Sequence, residues 1–499
     1  MLFEHKQQLR ADMAMIKMDL AFVQSDADSK QWQNKQNEGA HNNFVPLRSP
    51  RLLLSASLNK MNSSYRPAPM PSRLSDATSF RITSCFSRAV RPLGMLLFVA
   101  YLSGCGGGGS SDSTPPVPVA PVAPVAPVVT ADPVVAPEPA ITNATGAGQL
   151  KDAIFLKTIT TAQIVSAMES SGQNSIGVTP RYAVQAYRLT YLTVDGLGKE
   201  TLASALVTVP QKPLNVSSPV LSYQHGTITK DADAPSQLAK VETPEVVMAS
   251  LGYIVLSADY VGYGASKGVP HPYLLSAPSA AAVIDLMTAA KYWRETNKVL
   301  DNQQLFMAGY SEGGYVTMAT HRALQAGNSS FRQNLVSVVP GAGPYNVALT
   351  LGEQLKIVRR ANPLIGALIN PGFLKYLSEA DRNNVRDKLL AEVQGDDSDV
   401  VFSPTFLSYF LNDDQASIDR FSSVHNWRPE IPVTLYHGRD DRSVSYLNSS
   451  STLETMRAQG ATATVSLTNC TVQPAGHREC VLPYWRFMLD QFARQAKDL

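Results

Sequence analysis

The sequence has little of three features that would each point to a particular class of protein. No run of roughly 18 or more apolar residues appears among its 499 residues, so a membrane-spanning helix is not expected. The 43 basic and 41 acidic side chains nearly cancel, which argues against a nucleic-acid partner and a polybasic membrane patch. Cysteine is scarce, and Cys85, Cys105, Cys470 and Cys480 lie in such different contexts that we expect different fates for them.

The first 140 residues do not have the composition of a folded domain. Residues 1–69 are polar and rich in Gln, Asn and Ser, and we interpret them as disordered or as the product of a start codon assigned too early. Residues 70–105 are built like an export signal, with arginines before a short apolar core, Leu93–Leu102. Residues 106–141 are rich in glycine and then proline, which favours an extended polyproline II spacer.

The apolar core ends in Leu102-Ser103-Gly104-Cys105, which resembles the lipobox of bacterial lipoproteins. In that family the cysteine is acylated and becomes the mature N-terminus. The resemblance therefore implies lipidation at Cys105 and an exported protein tethered to the membrane of a bacterial cell envelope. The alternative is an ordinary internal helix.

Residues 142–499 alternate strand-like and helix-like segments, which predicts an α/β fold with a doubly wound, mostly parallel sheet. The predicted strands are Val184–Val194 and Leu202–Val209 (an edge hairpin), Val220–Gln224, Tyr253–Ala258, Leu305–Ala308, Leu335–Val339, Ile431–Tyr436 and Thr462–Leu467. The predicted helices of this layer are Glu245–Ser250, Ala277–Thr296, Tyr315–Ala326 and Leu482–Gln495.

One block, about residues 345–428, contains no convincing strand but several helix-like pieces: Leu351–Arg360, Ala380–Val393 and Phe406–Leu411. We expect a helical cap inserted over the carboxyl edge of the sheet. Its apolar stretches could line an acyl or aromatic pocket, or could only bury the cap against the core.

A short motif in the middle of this region is the strongest indication of a catalytic site. The pattern G-x-S-x-G, from Gly309 to Gly313, lies between a predicted strand and a predicted helix. A serine used as a nucleophile, here Ser311, must stand clear of the sheet on a sharp turn, and the flanking glycines leave room for that turn. The alternative is a chance match in which the serine only caps a helix.

A serine hydroxyl needs a base and a group that orients the base. The strand–turn–helix motif around Ser311, a nucleophile elbow, predicts that these partners follow the serine along the chain, first an Asp or Glu as the orienting group and then a His as the base. Two aspartates follow a predicted strand. Asp441, three residues after Gly438 and three before Val444, is our candidate, and Asp440 remains the alternative. Both could instead be solvated carboxylates of a turn.

His477 follows the last predicted strand and is our candidate for the base, because it alone of eight histidines has the required place in the chain. His225 and His437 are expected to be hydrogen-bonded scaffolding. The remaining candidates, His271, His321 and His425, carry no motif.

Cys470 and Cys480 bracket His477, and export would place them in an oxidising compartment, so we expect a disulfide that restricts the loop of the base. Two free thiols are the alternative. For the oxyanion of an acyl transfer we expect two backbone N–H donors: Glu312, at the start of the helix, and Thr227, in the loop after Val220–Gln224.

Together these motifs resemble the α/β-hydrolase fold. The stretches Tyr223–Thr227, Ala258–Gly264 and Gly309–Gly314, with a helical insert before the aspartate, are similar to the secretory lipase family of lipase A-like enzymes, over about residues 150–499. This chain has Glu312 where several relatives have Gln or Gly. The resemblance implies hydrolysis of carboxylic esters, small-molecule or lipid, through an acyl-enzyme, without a metal or organic cofactor. The alternatives are a peptidase or acyltransferase on the same scaffold, and an inactive surface-anchored binding protein.

Overall fold

The computed structural model describes residues 141–327, 329–361, 372–395 and 397–499. The predicted disordered start, the export signal with Cys105, and the spacer up to residue 140 lie outside the described residues, as does the apolar stretch 362–371 of the cap. Within the described ranges, no helix combines the length and the hydropathy needed to cross a membrane.

The described residues form nine strands and twelve α-helices, with short 3₁₀ turns and one π-helical turn, Ile418–Ser422, between them. The strands are β1 (Leu150–Ile159), β2 (Val184–Val194), β3 (Glu200–Pro210), β4 (Ser218–Gln224), β5 (Ile254–Ala258), β6 (Asp301–Tyr310), β7 (Leu335–Gly341), β8 (Val433–His437) and β9 (Val465–Asn469). The helices are α1 (Thr161–Ser170), α2 (Pro235–Leu238), α3 (Pro244–Ser250), α4 (Ser276–Thr296), α5 (Glu312–Ala326), α6 (Ser330–Asn334), α7 (Val347–Ala361), α8 (Glu379–Gln394), α9 (Thr405–Leu411), α10 (Gln415–Ser417), α11 (Leu447–Ala458) and α12 (Val481–Ala493).

All nine strands belong to one sheet, in the order β1-β2-β3-β5-β4-β6-β7-β8-β9. The first three pairings are antiparallel, and those from β5 through β4 to β9 are parallel. The predicted mostly parallel, doubly wound sheet is therefore confirmed. The carboxyl ends of its parallel strands meet at one edge, where the loops that follow the strands can bring functional side chains together.

The sequence analysis did not predict β1, and the hairpin β2–β3 is consequently not at the edge of the sheet. β1 pairs with β2 along most of its length. Its apolar residues are clustered instead of alternating, and Ile154 and Phe155 are exposed, so it lacks the period of a half-buried strand. Backbone pairing also extends β6 four residues before the predicted start, to the polar Asp301.

Side chains of β6 alternate between two apolar cores, one on each face of the sheet. Leu305 and Met307 join a cluster that includes side chains of α4 and α5. Phe306 and Ala308 join a second cluster that includes side chains of α3 and α12. This central strand, buried on both faces, is a rigid base for the turn that follows it.

The described residues between β7 and β8 form the helices α7 to α10, joined by loops, and no strand. This segment contacts the loop after β5 through an isolated parallel bridge between His271 and Phe402. The cap therefore touches a loop at the carboxyl edge of the sheet.

Candidate active site

Ser311 lies at the sharp turn between β6 and α5, with φ 59° and ψ −125°. A residue other than glycine seldom adopts these backbone angles, and the conformation costs on the order of 1–3 kcal/mol. The turn is held by the Ser311 N–H, which donates to the carbonyl of Gly341 on β7 at 2.9 Å. The hydroxyl group consequently projects from the sheet at the start of a helix.

Glycines make this turn possible because the backbone of β4 passes directly beside it. A Cβ atom on Gly313 would lie 2.0 Å from the carbonyl oxygen of Gln224, and one on Gly309 would lie 2.4 Å from the carbonyl oxygen of Gly313. Tyr484, from α12, fixes the strand before the turn: its hydroxyl accepts from the Gly309 N–H at 2.9 Å and donates to the Val339 carbonyl at 2.6 Å.

The structure brings the three predicted side chains into one hydrogen-bonded chain. His477 Nε2 lies 2.9 Å from Ser311 Oγ, and His477 Nδ1 lies 2.6 Å from Asp441 Oδ2. Because a carboxylate only accepts, Nδ1 carries the proton of the neutral imidazole, which leaves Nε2 free to accept from the serine hydroxyl. The arrangement can therefore draw a proton from Ser311.

Asp441 is buried and is held by donors on both carboxylate oxygens. The N–H groups of Ser443 and Val444 donate to Oδ1 at 2.9 and 2.8 Å, and His437 Nε2 lies 3.1 Å from Oδ2. Burial alone would raise the pKa of Asp441, but the hydrogen bonds from His437 and His477 outweigh it and lower the pKa to about 2. The carboxylate is therefore ionised at neutral pH.

His437 is the scaffold that the sequence suggested. Its Nε2 faces two acceptors, Asp441 and the Val444 carbonyl, so Nε2 carries a proton, and Nδ1 lies 2.7 Å from the Ser449 hydroxyl. His437 therefore orients the carboxylate of Asp441.

Asp440 does not contact His477; it holds the loop that carries it. Its N–H donates to the Ala475 carbonyl at 3.0 Å, and its Oδ2 accepts from the Ala475 N–H at 2.8 Å. The same loop is closed by the Cys470–Cys480 disulfide, with a Cα–Cα distance of 6.0 Å. The hydroxyl of Tyr310 donates to the His477 carbonyl at 2.9 Å, so three separate contacts restrict this loop.

The loop after β4 lies against the serine. A Cβ atom on Gly226 would be 3.6 Å from Ser311 Cβ. His225 Nδ1 donates to the Gly226 carbonyl at 2.7 Å, and the His225 ring stacks on Tyr260 at 4.1 Å. Because C=O and N–H point in opposite directions across a trans peptide, this bond turns the Thr227 N–H away from His225.

Glu312 is the first residue of α5, where a backbone N–H has no partner within the helix. Its side chain is not on the surface but in contact with His271, a histidine for which the sequence offered no role. No local motif marks this pair, because the two residues are 41 positions apart and meet only through the fold. Tyr484 was likewise not identifiable from the sequence.

Comparisons with known proteins support the architecture. A sequence model of the prolyl oligopeptidase family matches residues 240–333, a minor part of the chain that includes the elbow. The comparison with curated proteins found no match.

Among solved structures, the rice cell wall degrading esterase LipA of Xanthomonas oryzae is 23% identical, with a TM-score of 0.56 over 71% of this chain and 100% of that one. A Legionella pneumophila protein described as a hydrolase is 20% identical, with a TM-score of 0.55 over 69% of this chain and 97% of that one. Candida antarctica lipase A overlaps at a TM-score of only 0.42 and 17% identity, over 67% of this chain and 78% of that one, which is too little to decide the subfamily. The mostly parallel sheet, the family match and the first two structural similarities establish the predicted α/β-hydrolase fold.

The glycine contacts generate a stability prediction. Gly313→Ala should lower the free energy of unfolding by about 3 kcal/mol or more, because its methyl group would overlap the Gln224 carbonyl, a backbone atom in the central sheet. Urea unfolding of the folded protein measures this change.

Gly352→Ala is the matched control, since Gly352 lies within α7 and a Cβ atom there meets no heavy atom within 4 Å. It should raise the free energy of unfolding by about 0.5–1 kcal/mol, from the higher helix propensity of alanine. Equal effects of the two substitutions would contradict the close packing at the elbow.

Proposed function

We propose that the protein is a serine hydrolase that cleaves carboxylic esters through an acyl-enzyme. The observation that carries the proposal is the continuous hydrogen-bonded chain from Ser311 through His477 to Asp441, with the serine on a strained turn above the sheet. A nucleophile, a base and a carboxylate that orients the base are the groups that acyl transfer requires.

In this mechanism His477 Nε2 takes the proton from Ser311 Oγ as that oxygen attacks the ester carbonyl. The imidazolium that forms is stabilised by Asp441, which stays ionised because of its low pKa. His477 then returns the proton to the leaving alcohol. Water repeats the cycle on the acyl-enzyme and releases the acid.

The oxyanion of each tetrahedral intermediate would be held by the N–H groups of Glu312 and Thr227. Two features support these donors: the Glu312 N–H lies at the open N-terminus of α5, where the helix dipole favours negative charge, and His225 orients the Gly226–Thr227 peptide beside Ser311. Both are main-chain groups, so their side chains are free to serve other purposes.

The esterase description of Xanthomonas oryzae LipA agrees with an ester substrate. Where the cap contacts the loop after β5, the buried rings of Tyr273, Phe402 and Phe406 pack against one another, so the protein is apolar on this side of the site. A small-molecule or lipid ester is therefore the substrate class that we propose.

A peptidase is the second candidate, because the family that matches residues 240–333 is the prolyl oligopeptidase family. Fold and nucleophile do not separate the two activities. An ester and an anilide of the same acyl group do: a faster reaction with the ester supports an esterase, and a faster reaction with the anilide supports a peptidase.

We also propose that Cys105 is acylated after export and that the proline-rich spacer holds the enzyme off the membrane. The lipobox-like sequence motivates this, and the Cys470–Cys480 disulfide fits an oxidising compartment. Cells that express the protein should incorporate labelled palmitate into it, and Cys105→Ser should abolish the incorporation. Equal labelling of both proteins would contradict an anchor at Cys105.

The catalytic assignment predicts that Ser311→Ala lowers kcat for p-nitrophenyl esters, from acetate to palmitate, by about 10⁶-fold. Asp441→Asn should lower kcat by about 10⁴-fold, because the amide would disfavour the tautomer in which Nε2 accepts from the serine. Steady-state kinetics on each ester measure both effects.

Asp440→Asn is the control, since asparagine retains an oxygen that accepts from the Ala475 N–H. It should leave kcat close to that of the unmodified protein. Turnover retained by Ser311→Ala, or an equal loss in the two aspartate variants, would be incompatible with the assignment.

A further inference from the structure

The side chain of Glu312 is placed unusually for a charged residue. It is 2% exposed, its Oε1 lies 2.7 Å from His271 Nε2, and His271 is also 2% exposed. Glu312 Oε2 has no hydrogen-bond partner among the described residues. A buried carboxylate next to the nucleophile needs a physical reason, and the mechanism above uses only its backbone N–H.

The hydrogen-bond partners fix the number of protons in this pair. His271 Nδ1 lies 2.8 Å from the Val261 carbonyl, which only accepts, so Nδ1 carries a proton. The contact between Nε2 and Oε1 requires one more. The pair is therefore either a carboxylic acid with a neutral imidazole or a carboxylate with an imidazolium, and its net charge is zero in both forms. It places no net negative charge beside the oxyanion.

The backbone of His271 is in turn held by the cap. The His271 N–H donates to the Val401 carbonyl at 2.7 Å, and the Ser403 N–H donates to the His271 carbonyl at 2.8 Å. The Phe402 ring packs edge-on against the His271 ring at 5.1 Å. A continuous series of contacts therefore runs from the cap segment 401–403 through His271 to the residue after the nucleophile.

We propose that Glu312 and His271 are positioning residues that couple the cap to the oxyanion site. The Glu312 N–H has no intrahelical acceptor at the first position of the helix, and the helix holds its peptide through the Ser311 carbonyl, which accepts from the Tyr315 N–H at 3.2 Å. The Glu312 side chain, anchored at its far end on His271, adds a second restraint on rotation of the Ser311–Glu312 peptide and keeps that N–H directed at the oxyanion. The inference rests on the proposed function, because the donor matters only if acyl transfer takes place at Ser311.

Glu312→Leu tests this role, since leucine removes the bond to His271 and approximates the volume. With a p-nitrophenyl ester we expect kcat to fall by about tenfold or more and KM to change less than about twofold, because a misdirected oxyanion donor weakens binding of the transition state and not of the substrate. Glu312→Gln should retain most of kcat, since its amide can donate to Nε2 of a neutral His271.

Two further variants separate positioning from stability. Glu312→Leu/His271→Phe replaces both polar partners with apolar groups, so its melting temperature should recover relative to Glu312→Leu, while kcat stays low. Asp285→Leu is the second variant. It removes another buried carboxylate, that of Asp285 in α4, which accepts a hydrogen bond from the Thr193 hydroxyl at 2.7 Å. It should lower the melting temperature without lowering kcat.

The inference is overturned if kcat of Glu312→Leu stays within about twofold of the unmodified protein, or if kcat recovers together with the melting temperature in the double variant. In either case an active unmodified protein leaves the proposed function standing. An unmodified protein that hydrolyses no ester overturns the proposed function and this inference with it.

Discussion

The turn at Ser311 is the constraint on which the rest of the site depends. Its backbone is held at a positive φ that a serine does not favour, between a strand buried on both faces and the first turn of α5. Close packing of β4, β6 and α5 compensates for the cost, and glycine is required where their backbones meet. Because the turn is fixed, the loops that carry Asp441 and His477 can be placed against a stationary hydroxyl.

Electrostatics distinguish Asp441 from another buried carboxylate, Asp259. Asp259 accepts from the hydroxyls of Ser204 and Ser236, and burial raises its pKa despite these bonds. Asp441 is also buried, but two imidazole rings donate to it and its pKa is lowered to about 2. In Asp259, the hydrogen bonds from neutral hydroxyl groups do not outweigh the effect of desolvation on the pKa. In Asp441, the hydrogen bonds from the two histidines do outweigh it.

The sequence predicted the parts of the molecule that local patterns encode. Strands buried on both faces, such as β4 and β5, appear as short apolar runs, and the turn at Ser311 as two glycines and a serine. β1 was missed because half-exposed apolar residues give it no period, and its stability comes from pairing with β2. The contacts of Asp440 with Ala475, and of Glu312 with His271, join distant segments and become visible only in three dimensions.

The claim that Ser311 is an activated nucleophile is tested most directly by covalent labelling. A fluorophosphonate reacts with a serine only where a base withdraws the proton and donors hold the phosphoryl oxygen. After incubation of the folded protein, mass spectrometry of its peptides should find the adduct on Ser311, and Asp441→Asn should form it far more slowly. An unmodified Ser311, or an adduct on another residue, would contradict this account.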